Sequence, residues 1–432
     1  FLLLIGFQLS AQSKKWTLEE CVDYAIKNNI SIKQSELDLK TTDIDKLEAI
    51  GGFLPTLNGN ANYSMNTGAS INPVTNQFQN ETFKSMSASA NSGIMLFNGL
   101  ANWKTLQRAK LSKIANSYRL DKMKDDIALS IANSYLQILF NKEQLKVQKN
   151  QNLITKENIK RTQELIQAGS LPAGDIYELQ ATDASQEQQI VNTENALLIA
   201  KIGLCQTLLL EDYANFDISD EVMDLPMTDM TNETQESILE KAKESVKDVK
   251  IAMANVDVAK KDVALSRSSY LPTLTGFLGY NTRWAESIPF NFIDQLTLFD
   301  GTAVGLQLNV PILNGFATRG RVQRAKINQE RSEFQLKQAE LDLERNVYQA
   351  YNDVINAKKS FEAAQKTLEA RKQSFNFSKE RYEVGLMNSF DFSQSTIAYE
   401  NAQSEVLRTK YDYLFRTKIL EFYFGIPLVK KQ

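Results

Sequence analysis

The chain has 432 residues, with 49 Lys plus Arg against 52 Asp plus Glu and a formal net charge of −3, a balance that argues against a nucleic-acid partner. Histidine is absent, which removes the commonest general base and the commonest transition-metal ligand. The two cysteines, Cys21 and Cys205, are too few for a disulfide framework, although one bridge between them stays open.

Leu2 to Phe7 read as the tail of an apolar signal-peptide core and Ser10-Ala11 as its cleavage site, so residues 1–11 are expected to be a signal-peptide remnant of an exported protein. Leu18-Glu19-Glu20 before Cys21 is no lipobox, and no lipid anchor is expected. No apolar run reaches the ~18 residues of a membrane helix, so any membrane span must be β.

The first repeat is expected over 12–210. Thr17 and Glu20 form a capping box that opens a short helix. A second helix covers about Ser31 to Ile50. From Leu57 the period becomes two: Leu57, Ala61, Tyr63 and Met65 share one side, and Asn58, Asn60, Asn62 and Ser64 the other. Asn66 to Lys84 reads as an exposed polar loop, and Ser85 to Phe97 as a returning strand, giving a β-hairpin over 53–97. A long helix hairpin follows over 99–210, turning at Gly169. An acidic linker spans 211–234. The second repeat, 235–432, has a β-hairpin over 270–313 and a long helix hairpin over 316–424. Strict alternation in Val304, Leu306, Leu308, Val310 and Ile312 marks its second strand, and Arg283 to Asp300 reads as a long loop.

The two halves are copies of one unit. Phe53-Leu54-Pro55-Thr56-Leu57 returns as Tyr270-Leu271-Pro272-Thr273-Leu274, and Gln107-Arg108-Ala109-Lys110 returns unchanged as Gln323-Arg324-Ala325-Lys326. Gly169 maps onto Gly385 and Asp175 onto Asp391. In the second copy Val347, Val354, Phe361, Leu368, Phe375 and Tyr382 fall seven apart, each followed three residues later by Ala350, Ala357, Ala364, Arg371, Ser378 and Gly385. A large-then-small heptad is a coiled-coil seam. With no Pro or Gly between Gly320 and Gly385, about 64 residues give roughly 95 Å of helix at ~1.5 Å per residue.

Strands of about 10 to 14 residues suit a tilted bilayer crossing, but four strands cannot close a barrel and lipid does not tolerate an open sheet edge. The protomers must then share a barrel. The expected fold is mostly α with a membrane β-barrel: a long antiparallel α-helical coiled-coil tunnel, a two-copy internal repeat, and four β-strands per protomer completing a twelve-stranded trimeric barrel. A structural coiled-coil stalk of the envelope without channel activity is the alternative, and strict alternation in the strands speaks against it.

This plan, with its signal remnant, the Leu-Pro-Thr-Leu joints and Tyr382-Glu383-Val384-Gly385 at the tip, resembles the TolC-type outer-membrane efflux ducts from Thr17 to Pro427. The resemblance implies a homotrimeric exit duct in outer-membrane lipid of a Gram-negative bacterium, extending into the periplasm. Such a duct is passive, is no enzyme, needs no cofactor or metal, and works in efflux or type I secretion. Its partners are a periplasmic adaptor and an inner-membrane transporter, with no nucleic acid. The linker 211–234 then falls in an equatorial belt. The resemblance also implies a tunnel-entrance constriction at Asp391 and Asp175, with Gln394 where a second acid often stands. It implies a closed-state lock at Tyr382 and Asp175, with Met387 in place of a basic residue. Adaptor-docking tips fall at Gly169, Ser170 and Leu171 and at Val384, Gly385 and Leu386. Leu171, Leu386 and Met387 are expected to be exposed there.

Overall fold

A computed structural model describes residues 15–71, 75–220 and 233–426. The expected signal remnant at 1–11, residues 72–74 of the first loop, residues 221–232 of the linker and the last six residues lie outside the described residues. In chain order the elements are β1 (Lys15–Trp16), α1 (Leu18–Asn28), α2 (Ile30–Gly51), β2 (Thr56–Ile71), β3 (Phe78–Asn98), α3 (Ala101–Gln167) and α4 (Asp175–Leu208). There follow β4 (Asp217–Ile218), α5 (Gln235–Ser245), α6 (Lys247–Ser268), β5 (Thr273–Ala285), α7 (Phe292–Leu298), β6 (Gly301–Asn309), α8 (Ala317–Glu383) and α9 (Ser389–Tyr423). The chain divides into two compact units, and each draws on both repeats.

One unit comprises residues 37–118 and 250–337 and holds the main sheet. The two hairpins lie side by side in a single antiparallel sheet of order β2-β3-β5-β6. Opposed residues of an antiparallel pair share a face. The register therefore puts Leu57, Tyr63, Met86, Leu278, Trp284 and Val304 on one face, and Asn58, Asn60, Asn91, Ser89, Asn281 and Ser87 on the other. Val304, Leu306 and Leu308 are 80%, 68% and 64% exposed, and among the described residues the helix contacts shown on this face are those of α7 (Phe292–Leu298) at its far end, where Phe292 meets Trp284 and Leu296 O accepts from Thr282 Oγ1.

The strand bounds correct the sequence reading. Asn66–Ile71 and Phe78–Lys84, expected as loop, are strand, paired in register as far as Ile71 with Phe78. Hydroxyl pairs hold this polar ribbon together, Ser64 with Ser85 at 2.8 Å and Thr67 with Thr82 at 3.0 Å. β6 ends at Asn309 rather than Ile312, because Pro311 has no N–H to continue the ladder. Nor is Arg283 to Asp300 all loop: β5 runs to Ala285 and α7 is capped by Asn291. Gln295, fully buried, pins the loop by donating to the carbonyls of Ile288 and Phe290 and accepting from the Ala285 N–H.

The second unit comprises residues up to Glu36, then 119–249 and 338 onward. The predicted capping box is present, with Glu20 N–H donating to Thr17 Oγ1 and Thr17 N–H to Glu20. α1, α3 and α4 enclose an apolar core of Val22, Ile131, Ile138, Leu204 and Leu208, closed by Ile218. Cys21 and Cys205 both sit in this core, but no disulfide joins them. β1 and β4 form a short parallel pair. Beside it, Lys142 pairs with Asp217 (2.8 Å) and Asp220 (2.7 Å), Lys201 pairs with Asp217 (2.9 Å), and Lys15 pairs with Asp220. The described part of the linker is thus tied to α3 and α4 by charge.

The α8 seam is buried at Val347, Val354, Phe361 and Tyr382 and at Ala350, Ala357, Ala364 and Ser378. Leu368 and Phe375 are half-buried and Arg371 is exposed. α9 runs back along α8, with Phe361 stacked on Tyr413 and Phe375 on Tyr399.

Candidate functional site: the helix-hairpin tips

Both long hairpins end in the same way. Gly169 and Gly385 have φ of +74° and +75°, the left-handed conformation that lacks a steric cost only in glycine. Each closes a Schellman turn. Ser170 N–H donates to Leu165 O and Gly169 N–H to Ile166 O, while Leu386 N–H donates to Arg381 O and Gly385 N–H to Tyr382 O. The return helices start differently. Gly174 gives α4 no side-chain cap. Asn388 caps α9, accepting from Asp391 N–H at 2.8 Å and donating to the Asp391 carboxylate at 3.0 Å. Asp391 is therefore exposed and held at a helix N-terminus, one turn ahead of the exposed Gln394. Asp175 occupies the matching place on α4 and is half-buried.

Behind the tips lies a separate apolar cluster of Leu179, Tyr382 and Phe392, flanked by Ile159, Leu171, Phe375 and Met387. The Tyr382 and Phe392 rings stack at 4.6 Å with 4° between planes. The Tyr382 hydroxyl meets Thr162 Oγ1 at 2.8 Å. Burial pushes this phenol up, the Thr162 hydrogen bond opposes the shift, and Asp175 acts on it only through its charge. Thr182 and Ser393 hydroxyls pair at 2.9 Å, and Arg161 pairs with Glu383 at 2.9 Å. The tip thus joins α3 and α4 to α8 and α9 through two hydroxyl pairs, one ion pair and the packing of Leu179 in the apolar cluster, while the aromatic stack ties α8 to α9.

Leu171 and Met387 are not the exposed tip residues expected of them; both fold back onto this cluster, where an apolar side chain at a helix end gains more than in water. The exposed apolar groups at the second tip are Val384, Leu386 and Phe390, at 68%, 70% and 56%. At the first tip Gly169 and Ser170 are exposed. Thr162 was missed because a lone Thr in a long helix gives no signal. The buried face of α3 above it is polar: Asn141, Gln144, Gln148, Asn152 and Thr155 are all buried. Their spacing of three and four residues is legible in the sequence as a polar stripe, a signal that apolar periodicity does not carry.

A chain of two helix hairpins and two β-hairpins sharing one sheet has the fold of outer-membrane channel protomers. The solved outer membrane channel CmeC of Campylobacter jejuni superimposes with a TM-score of 0.77 at 17% identity, over 94% of this chain and 85% of that one. The family model described as outer membrane efflux protein matches residues 21–208 and again 238–425, one match per repeat, and the chain belongs to that family. Membership places it in the outer membrane. Among relatives, the outer membrane protein TolC of Vibrio cholerae is 22% identical over 316 residues, covering 73% of this chain and 71% of its own length. The proteases secretion protein PrtF of Dickeya chrysanthemi is 22% identical over 315 residues, covering 73% and 67%.

Proposed function

We propose that three copies of this chain form a passive exit duct through the outer membrane and into the periplasm. Each copy contributes four strands to one twelve-stranded barrel, and the helix hairpins continue it as a tunnel. The observation that carries the reading is the sheet. Its apolar face is exposed from Leu57 and Tyr63 across Leu278 to Val304, Leu306 and Leu308, its polar face is almost without charge, and its edge strands β2 and β6 each pair on one side only. An open edge is not tolerated in lipid, and joining β2 of one copy to β6 of the next removes every edge.

The duct serves efflux or type I secretion for an inner-membrane transporter, through a periplasmic adaptor, and takes no part in bond chemistry. Val384, Leu386 and Phe390 at one tip, with Gly169 to Leu171 at the other, are the adaptor-facing surface. Asp391, repeated three times around an axis, is an acidic constriction that attracts cations. Gln394 leaves that ring with one carboxylate per copy. Tyr382, Asp175 and Met387 stand where the closed state is locked. Here the lock rests mainly on apolar packing around the Tyr382–Phe392 stack, with Tyr382 also bonded to Thr162 and Met387 bringing no charge.

Single-channel conductance of the purified protein in a planar bilayer tests both parts. Discrete steps with cation selectivity that falls in Asp391→Ala are expected. Steps with unchanged selectivity would remove the constriction at Asp391, and a folded protein that never conducts, even with Tyr382 and Phe392 both replaced by Ala, would return the chain to a structural stalk.

A further inference from the structure

The α3–α4–α9 seam carries an ionisable group that neither the duct chemistry nor the tip uses. Glu400, on α9, is partly buried between two cavities of about 150 and 140 Å3. The first is polar, lined by Gln148, Gln151, Ser185, Gln186, Asn401 and Ser404 among others. The second is closed by Phe375 of α8 and by Tyr399. No Lys or Arg lines either cavity, and Tyr399 is the other titratable residue that does. The one hydrogen bond shown to the Glu400 carboxylate comes from Gln186 Nε2, at 2.6 Å. Gln186 in turn accepts from Asn152 Nδ2 at 3.4 Å, and Asn152 donates to Asp183 at 2.7 Å. Asp183 faces Lys156 at 4.0 Å. A chain of amides therefore links the buried acid to the charged surface.

Gln148, which lines the polar cavity and is 7% exposed, has an Oε1 without a partner. A partly buried carboxylate without a cation favours its neutral form, because desolvation penalises the charge. A neutral carboxyl also supplies an O–H donor to the cavity that Gln148 lines.

We propose that Glu400 is a proton-binding site of the helical seam: with the proton on, α9 is held against α3 and α4, and with it off, the seam loosens. The direction of titration agrees. Burial pushes the Glu400 carboxyl up to about 7, against the downward pull of the Gln186 hydrogen bond. A raised folded-state value contributes stability that is complete below the ordinary glutamate value of ~4.3 and is lost as pH rises through about 7. The site does not depend on the channel reading and concerns the helices alone.

Hydrogen exchange of the intact protein in detergent, corrected for the intrinsic rate, tests it at pH 5.5 and 8.5. In wild type, α9 amides around residues 396–404 are expected to exchange at least ~10-fold faster at the higher pH, since one pKa unit is a factor of ten. Glu400→Gln keeps the neutral shape and should show slow exchange at both. Equal pH dependence in wild type and Glu400→Gln would overturn the proposal. Infrared titration of the protonated carboxyl band gives a readout independent of the seam. A band present in wild type at pH 6 and missing from Glu400→Gln supports the site; its absence at pH 6 overturns it. Glu400→Leu serves as the reference if the Gln variant does not fold.

Discussion

Replacing Phe392 with Ala should open the tip far more than removing the Tyr382 hydroxyl. Phe392 is 1% exposed, stacked on Tyr382 at 4.6 Å and on Phe375 at 6.0 Å. Truncating a buried Phe costs about 3–5 kcal/mol, and the stacks it takes part in are worth ~0.5–1.5 kcal/mol each beyond area. Tyr382→Phe keeps the ring and the stack. It strands the Thr162 hydroxyl, which is 0% exposed, at a cost of about 1–3 kcal/mol. Native-state hydrogen exchange at residues 378–396 measures the local opening free energy of each variant. The expected order is Phe392→Ala well above Tyr382→Phe, with amides in the core of α1, α3 and α4 unchanged in both. The reasoning fails if Tyr382→Phe loses as much protection as Phe392→Ala, because the tip would then be held by its polar contacts.

Gly99 and Gly315 are repeat equivalents with φ of +65° and +57°, but only Gly99 is packed tightly. A Cβ there would lie 2.6 Å from Ser268 O and 2.8 Å from Leu271 Cβ, whereas nothing lies within 4 Å at Gly315. Gly315→Ala should cost only the backbone strain, about 1–2 kcal/mol, and Gly99→Ala distinctly more, read as a larger fall in thermal midpoint. Burial pushes the Asp217 carboxyl up, but Lys142 and Lys201 outweigh it and hold it below the usual range; Lys142 and Lys15 do the same for Asp220. Depressed carboxylates give stability that is present above the unfolded value of ~3.9 and is lost as pH falls through their folded values. Acid unfolding followed by circular dichroism should therefore lose part of its pH dependence below ~4 in the double variant Asp217→Asn, Asp220→Asn.

Where the sequence was legible, one strong local signal agreed with its surroundings. The long helices ended at glycine because no other residue takes the left-handed turn without cost, so Gly169 and Gly385 marked both tips. Thr17 and Glu20 announced their capping box. The alternation around Val304 to Leu308 gave the right face to each residue. Elsewhere the signal was carried by a different chemistry. The ribbon beyond Met65 is strand because hydroxyls pair across it, and Asn, Thr, Ser and Gly in a row look like loop. The α3 seam follows heptad spacing in Gln, Asn and Thr, which hold helices together by hydrogen bonds instead of by area. Leu171 and Met387 turned inward because a cluster formed from both hairpins was waiting for them, and no single segment contains that cluster. Glu400 carries no signal of its own in the sequence, because what sets it apart is the lining that α3 and α4 supply.

Asp391 poses the sharpest choice between a local and a functional cause. An acid in a first helical turn is favoured by the helix dipole by about 0.3–1 kcal/mol, which alone would account for its presence. The cap separates the two. Asn388 Oδ1 accepts from the Asp391 main-chain N–H, and this bond survives any change of the Asp391 side chain. Asp391→Ala then loses the dipole contribution and one exposed hydrogen bond to Asn388, and the helix start should stay in place. Removing the charge with so little structural consequence makes ion selectivity a clean readout. A dipole role predicts a fraction of a kcal/mol in stability and unaltered selectivity. A constriction predicts that selectivity falls while the thermal midpoint hardly moves. Asn388→Ala is the complementary control: it leaves the carboxylate in place but removes its anchor, so α9 should fray at its start, with a cost of ~1 kcal/mol. If selectivity followed Asn388 as strongly as Asp391, the position of the helix end, and not the charge it bears, would be what the tunnel reads.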